Sequence, residues 1–272
     1  FFRDYANNWF YTFKQHSVEN SSFDRYESIY LHHIKPSLGD IQIASIRSEE
    51  IQNLLVAKSK TLSYSVVKKI NFLLSELFQY AHSEGDIAKN PMRNVKMPKK
   101  TLFKQKRTIL VMEDEEVQAL EQVATLTCHN DTPQIMHANA IVFLVHTGLR
   151  CGELQALKWS DIDFEKNLLH INKTYYRMHG EDVITSPKTE ESNRTISIPE
   201  FLKKEIQDYI SRLYELPEDE RIFPMVHEAV QHKLKQVVQK TGVKKIRVHD
   251  IRHSHAAFLI NKGVQPLMIK ER

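Results

Sequence analysis

Three short stretches of this sequence carry side chains that could act on a phosphate. The first is Thr147-Gly148-Leu149-Arg150-Cys151-Gly152-Glu153-Leu154. Arg150 follows an apolar run at a tight turn, and Glu153 lies three residues on, close enough to orient it. The second is Ser186-Pro187-Lys188-Thr189 with Arg194, where a lysine on a polar turn has a long stem that can reach a ligand. The third is His249-Asp250-Ile251-Arg252-His253-Ser254-His255, in which His249, Arg252 and His253 share a face at helical spacing. Taken singly, the first reads more readily as a surface ion pair and the second as a solvated turn, and the third invites a metal reading. Taken together, two arginines, a lysine and a histidine suit a phosphodiester. Attack on DNA phosphate gathers negative charge on the non-bridging oxygens, which planar guanidiniums can grip with paired hydrogen bonds. A lysine or histidine can supply the proton that the departing 5′-oxygen needs. A metal site on the three histidines is disfavoured because Arg252 sits among them and repels a dication. With no Walker-type loop and no clustered carboxylates, the sequence predicts no cofactor and no metal.

Those residues need rigid elements to hold them. Residues 1 to about 90 read as four or five helices. Tyr5, Trp9 and Phe13 recur at helical spacing, and Ser22 can cap a second helix that should end before Pro36. Ser48-Glu49-Glu50 places acids at a helix start, and Ser63 opens a helix running toward Gly85. Asn90-Pro91 and the stretch from Pro98 to Arg107 read as an extended linker, with the domain boundary near residue 99. Beyond it come helices at Glu113 to Leu126, at about His137 to His146 and from about Cys151 to Leu157. Strands follow at 168–172 and 195–199, with Ser186 to Arg194 as the turn of their hairpin. Helices then resume at about Glu200–Tyr214, His227–Lys240 and His249–Asn261. The expected fold is mainly α with one small antiparallel β-sheet.

Composition sets the outer bounds. The 272 residues include only seven glycines, with 41% hydrophobic and 26% charged residues, which suits a helical globular protein. No run is long and apolar enough for a membrane span, no secretory signal opens the chain, and Cys128 and Cys151 make no disulfide framework, so a cytoplasmic protein without a membrane partner is expected. Net charge is only +4, yet residues 1–107 hold 17 Lys+Arg against 10 Asp+Glu, while the remainder carries a slight acidic excess. Arg93 to Arg107 contains seven basic residues and no acid, and a second basic window runs from Lys233 to Arg252 with Asp250 as its one acid. Such tracks suit a polyanion, or form solvated faces. The candidate phosphate-positioning residues are Lys68, Lys69, Lys99, Lys100, Lys104, Lys106 and Arg107, with Lys173 and Arg177 on the sheet.

The order of these motifs resembles the tyrosine recombinases of the phage and transposon integrase type. Thr-Gly-Leu-Arg-x-x-Glu-Leu over 147–154 is followed by Leu157-Lys158-Trp159-Ser160-Asp161-Ile162, by Pro187-Lys188-Thr189 with Arg194, and by His249-Asp250-Ile251-Arg252-His253. Upstream, Ile34-Lys35-Pro36-x-Leu38-Gly39, Phe78-x-Tyr80-Ala81 and Gly85-x-Ile87-x-x-Asn90-Pro91 resemble the helical core-binding domain of that family. The resemblance implies a core DNA-binding domain over 1–98, a basic linker over 99–107 and an α+β catalytic domain over 108–272, closing as a C-shaped clamp around duplex DNA. It implies Arg150 and Arg252 as phosphate-binding arginines, Lys188 as general acid and His249 as the histidine that assists proton transfer. Glu153 supports them. A tyrosine attacks to give a 3′-phosphotyrosine, and four subunits assemble on two recombination sites of a mobile element, with accessory DNA-bending or directionality factors in some systems. In the family that tyrosine follows a Leu-Gly-His-like turn located after the counterpart of Lys270-Glu271-Arg272. No tyrosine within 1–272 occupies such a position, and Tyr175 and Tyr176 lie in the strand region. The 272 residues are therefore expected to bind DNA without cleaving it. Two other readings remain at this stage, a non-catalytic DNA-binding module and a type IB topoisomerase-like enzyme.

Overall fold

The computed structural model describes residues 1–103, 108–126, 132–187, 192–213 and 217–271. The chain divides into two compact units, Phe1–Arg107 and Thr108–Arg272, each built on its own apolar core.

In the first unit, helical segments Phe2–Trp9, Phe10–Lys14 and Gln15–Ser17 follow one another without a break, the middle one being a wide π turn. The next helix departs from expectation. It begins at Asn20, with Ser22 inside its first turn, and it passes through Pro36 to Leu38. A proline ring normally clashes with the carbonyl four residues back. Here a second π turn, Tyr30–Ile34, stands just before the proline, and the Lys35 N–H donates to the Tyr30 carbonyl five residues behind. The widened turn takes the ladder off its usual spacing where the proline would break it.

Helix Ser48–Ser59 starts as its acids predict, with the Arg47 N–H donating to the Glu50 carboxylate at 2.9 Å. Helix Tyr64–Ser83 follows from Ser63 and buries Val67, Ile70, Leu73, Leu74, Leu77, Phe78 and Ala81 along one stripe. Phe10 stacks on Tyr30 at 4.8 Å between ring centroids, and Phe2 meets Phe78 at 5.7 Å. Lys14 is buried in this core. Its ammonium lies over the rings of Trp9, Tyr26 and Phe72 and donates to Glu76 at 2.6 Å, so its charge is paired.

The stretch read as an extended linker is, over its described part, packed structure. Gln52 exchanges two hydrogen bonds with the backbone of Lys96, short 3₁₀ turns form at Pro91–Asn94 and Lys100–Leu102, and Phe103 is buried edge-on against Tyr64. The apolar residues among the lysines explain the correction: Val95, Met97 and Phe103 have a core to join.

The second unit is built around helix Thr132–Thr147, in which Ala140 to Val145 are all buried. A helix apolar on every side must be covered on every side. It is surrounded by helices Asp114–Leu126, Glu200–Ser211, His227–Thr241 and Val248–Asn261. Strands β1 (Ile162–Asp163), β2 (Leu168–Ile171) and β5 (Arg194–Ser197) form an antiparallel sheet in the order β1-β2-β5. Its register sets Ile162 against Leu169 and Ile171 against Arg194. Between β2 and β5 the chain forms a separate hairpin, β3 (Thr174–Met178) and β4 (Glu181–Thr185). Among the described residues the single sheet expected from the sequence is thus two, and the turn of the β3–β4 hairpin is His179-Gly180. That turn was hard to see because His179 takes a positive φ of 51° that histidine seldom adopts. Among the described residues no helix is long and apolar enough to cross a membrane.

Candidate functional site

Thr147 closes the buried helix by donating its hydroxyl to the Phe143 carbonyl at 2.5 Å, and Gly148 turns the chain with φ +65°. Arg150 then caps the short helix Cys151–Ala156, its own N–H donating to the Glu153 carboxylate at 2.9 Å. The result is a guanidinium set at a fixed turn beside a fixed carboxylate. Glu153 is buried, with 6% of its side chain exposed, whereas the Arg150 side chain is 52% exposed. Arg150 Nη1 donates to Glu153 at 2.7 Å. Arg194, at the start of β5 and 41 residues away in sequence, donates Nη2 and Nη1 to the two Glu153 oxygens at 2.8 and 3.0 Å. Burial pushes the Glu153 carboxyl up; hydrogen bonds from Arg194 and from the Arg150 backbone and guanidinium overcome that and hold it below its ordinary value.

Helix Val248–Asn261 brings the third stretch to the same place. Arg252 Nη1 donates to the Gly148 carbonyl at 2.5 Å, and His255 Nδ1 bonds the Val145 carbonyl at 2.9 Å. Both therefore grip the turn that leads to Arg150. A carbonyl only accepts, so His255 must carry its proton on Nδ1. Ser254 Oγ ties the same helix to the Met112 N–H at 2.9 Å. Burial, then the like charge of Arg150, draws the Arg252 guanidinium down, with Glu153 opposing and Arg194 adding. His249 is lowered by burial first, then by His253 and Arg252, with Arg150 contributing. Arg150, Arg194, Arg252, Glu153 and His249 thus share one electrostatic field. Asp250 belongs to the support: it is buried and takes two bonds from the Arg247 guanidinium and one from its backbone.

Of the predicted site residues, Arg150, Glu153, His249 and Arg252 come together; Lys188 lies outside the described residues, as do Lys104, Lys106 and Arg107. Lys68, Lys99 and Lys100 are exposed and Lys69 half-buried, the last drawn down by burial and by nearby Arg25. Lys100 rests over the Tyr64 ring. Arg177 is exposed at the hairpin turn, where it donates to the Gly180 carbonyl. Lys173 is different. It follows β2 with its ammonium on the buried Asp161 carboxylate, so the fold already uses that charge. Part of the second basic window is likewise engaged within the unit: Lys233 is buried, Lys244 pairs with Glu116 at 2.8 Å and Arg247 with Asp250, while Lys235, Lys240 and Lys245 are exposed. Arg194 is the residue whose part the sequence left unassigned. Its one signal was a lone arginine opening an alternating strand, Arg194-Thr195-Ile196-Ser197. Among the described residues no three His, Cys, Asp or Glu side chains cluster to hold a metal ion.

Comparison with known proteins agrees with this arrangement. Residues 110–272 match the phage integrase family, and residues 1–58 match the phage integrase N-terminal SAM-like domain. The chain is 28% identical over 302 residues to a tyrosine recombinase XerC-like protein of Caldanaerobacter subterraneus subsp. tengcongensis, covering 98% of this chain and 74% of that protein. It is 30% identical over 224 residues to the ICEBs1 integrase of Bacillus subtilis, covering 78% of this chain and 58% of that protein. In fold it resembles the Tn1549 transposon integrase solved with transposon right end DNA, at a TM-score of 0.78 and 20% identity over 98% of this chain and 90% of that one. It also resembles lambda integrase solved as a tetramer on a Holliday junction, at 0.70 and 17% over 98% and 75%. The chain belongs to the phage integrase family of tyrosine recombinases.

Proposed function

We propose that this chain is the DNA-binding and phosphate-activating part of a site-specific recombinase that moves a mobile element by cutting and rejoining duplex DNA. The observation that carries the reading is that Arg252 holds the carbonyl of Gly148, at the turn leading to Arg150, while Arg150 rests on the buried Glu153 and His249 lies within the field of both arginines. Arg150 and Arg252 hold the non-bridging oxygens of the scissile phosphate, where their charge opposes the negative charge that grows during attack. His249 shares that load and assists proton movement. Lys188 gives its proton to the departing 5′-oxygen. The attacking oxygen belongs to a tyrosine placed after residue 272; its bond to phosphorus replaces the bond to the 5′-oxygen and leaves a 3′-phosphotyrosine. The bond energy is retained, so the reverse attack by a 5′-hydroxyl reseals the strand without ATP. The first unit holds the recombination site through phosphate contacts from Lys68, Lys69, Lys99 and Lys100, and the active assembly is a tetramer on two sites; lambda integrase has been solved as a tetramer on a Holliday junction. A module that only bound DNA would not need a buried carboxylate shared by two guanidiniums beside a third.

Arg150→Ala tests this reading in the chain carried through its tyrosine. Single-turnover cleavage should fall by about 1,000-fold, the scale of losing a charged group aimed at the transition state, while site affinity changes by less than about threefold. Cleavage at the unaltered rate would refute the assignment.

A further inference from the structure

Glu153 offers about four acceptor positions on its two carboxylate oxygens. Four donors reach it: Nη1 and Nη2 of Arg194, Nη1 of Arg150 and the Arg150 backbone N–H. The pair with Arg194 is a forked, two-bond contact between side chains that are 8% and 6% exposed. Arg150, by contrast, gives Glu153 a single side-chain bond and keeps half its surface open. The unequal sharing matters because an arginine three residues from a glutamate can itself form a two-bond pair, and that pair would cover the edge a phosphate needs.

We propose that Arg194 is a positioning residue for Arg150: by occupying both Glu153 oxygens it limits the carboxylate to one bond with the Arg150 side chain and reserves the other guanidinium edge for the DNA phosphate. This inference rests on the reading of Arg150 as a phosphate-holding residue. Arg194 does not touch the phosphate. It acts through Glu153, and it also holds the Ser192 carbonyl at 3.2 Å, so the beginning of β5 and the turn at Arg150 are tied to one carboxylate. Lysine cannot replace it, because an ammonium is a point charge that cannot grip two oxygens in a plane.

The test compares Arg194→Lys, Arg194→Met and the double variant Arg194→Met with Glu153→Gln, in the chain carried through its tyrosine. Single-turnover cleavage at saturating protein is read beside site affinity and thermal melting. Arg194→Met should slow cleavage by about 100-fold, the scale of a misplaced catalytic group, and Arg194→Lys by about 10-fold, with affinity within about threefold. Adding Glu153→Gln to Arg194→Met should recover at least about 10-fold, because a neutral amide no longer competes for the second edge of Arg150. Wild-type cleavage by Arg194→Lys, or a double variant no faster than Arg194→Met, would overturn the proposal. If Arg194→Met melts too low to assay, Arg194→Lys decides the matter. Failure of the underlying reading appears elsewhere, as Arg150→Ala cleaving normally, and it removes this inference as well.

Discussion

Replacing Gly148 by alanine should damage both stability and strand cleavage, and the structure gives the size of each effect. Gly148 has φ +65°, where an L side chain costs about 1 kcal/mol. A Cβ there would also stand 2.5 Å from Cδ2 and 3.0 Å from Cγ of His255. The imidazole would have to leave, giving up its bond to the Val145 carbonyl, a loss of about 1 kcal/mol, and straining a packed helix contact by a further 1–3 kcal/mol or so. The total is about 3–5 kcal/mol, equivalent to a fall of about 10 °C in the melting temperature of a unit this size. Gly242 provides the control in the same unit. It caps helix His227–Thr241 at φ +72°, but nothing lies within 4 Å of its Cβ position. Gly242→Ala should therefore lose only the conformational cost, about 1 kcal/mol and about 3 °C.

The difference between the two melts isolates the contact with His255. Cleavage separates them further, because the Gly148 turn carries Arg150 and its carbonyl holds Arg252, whereas Gly242 touches neither. A displacement of about 1 Å at that turn should slow cleavage by about 100-fold, with Gly242→Ala near wild type. Adding His255→Ala to Gly148→Ala should cost less than the sum of the two single changes, since the ring that clashes is gone. Equal destabilisation by the two glycine variants, or strict additivity in the double variant, would refute the packing argument.

Two other expectations follow from the same structure. The His249 pKa lies below the ordinary histidine value of 6.5, owing first to burial and then to His253 and Arg252. The folded state therefore holds fewer protons than the unfolded state between the lowered value and 6.5, so stability should fall as pH drops through that window. A bound phosphate raises the pKa again, so DNA binding should take up a proton and tighten over the same window; a His249→Ala variant that kept the full pH response would contradict this. Binding of residues 1–272 to site DNA should weaken steeply with salt, and alanine at each of Lys68, Lys69, Lys99 and Lys100 should flatten the slope by about 1. A slope unchanged by all four would move the interface off these residues.

What could be read from the sequence was whatever one element decides alone. Helix Tyr64–Ser83 follows from a stripe at three and four, and helix Ser48–Ser59 from acids at its start, because periodicity and capping act within a few residues. Pro36 misled for the complementary reason. The rule that proline ends a helix assumes regular spacing behind it, and the π turn at Tyr30–Ile34 changes that spacing without any signature in residue type. Over its described part the linker departs from the extended reading because charge was weighed over the few apolar residues it surrounds, and Phe103 needs only one partner ring to pack. The β3–β4 hairpin was missed because its pattern is weak: Glu181 and Asp182 are both exposed, and Val183 to Thr185 alternate between half-buried and exposed with none fully buried.

The site shows the same division more sharply. Arg150, Glu153, His249 and Arg252 could be named because their local patterns are dense and ordered. Arg194 could not be given a part, because its role exists only once β5 pairs with β2 and brings residue 194 to a helix start 41 residues earlier. Lys173 shows the reverse: its type suggested DNA, whereas the fold sets its ammonium on the buried Asp161 carboxylate. The same physics governs both. A buried carboxylate must find cationic partners wherever the chain provides them, and in this unit Glu153, Asp161 and Asp250 find theirs in Arg194 with Arg150, in Lys173 and in Arg247. Because Arg194 supplies the two-bond partner of Glu153, Arg150 gives that carboxylate a single side-chain bond and stays half exposed, as a residue that must also hold a ligand should be.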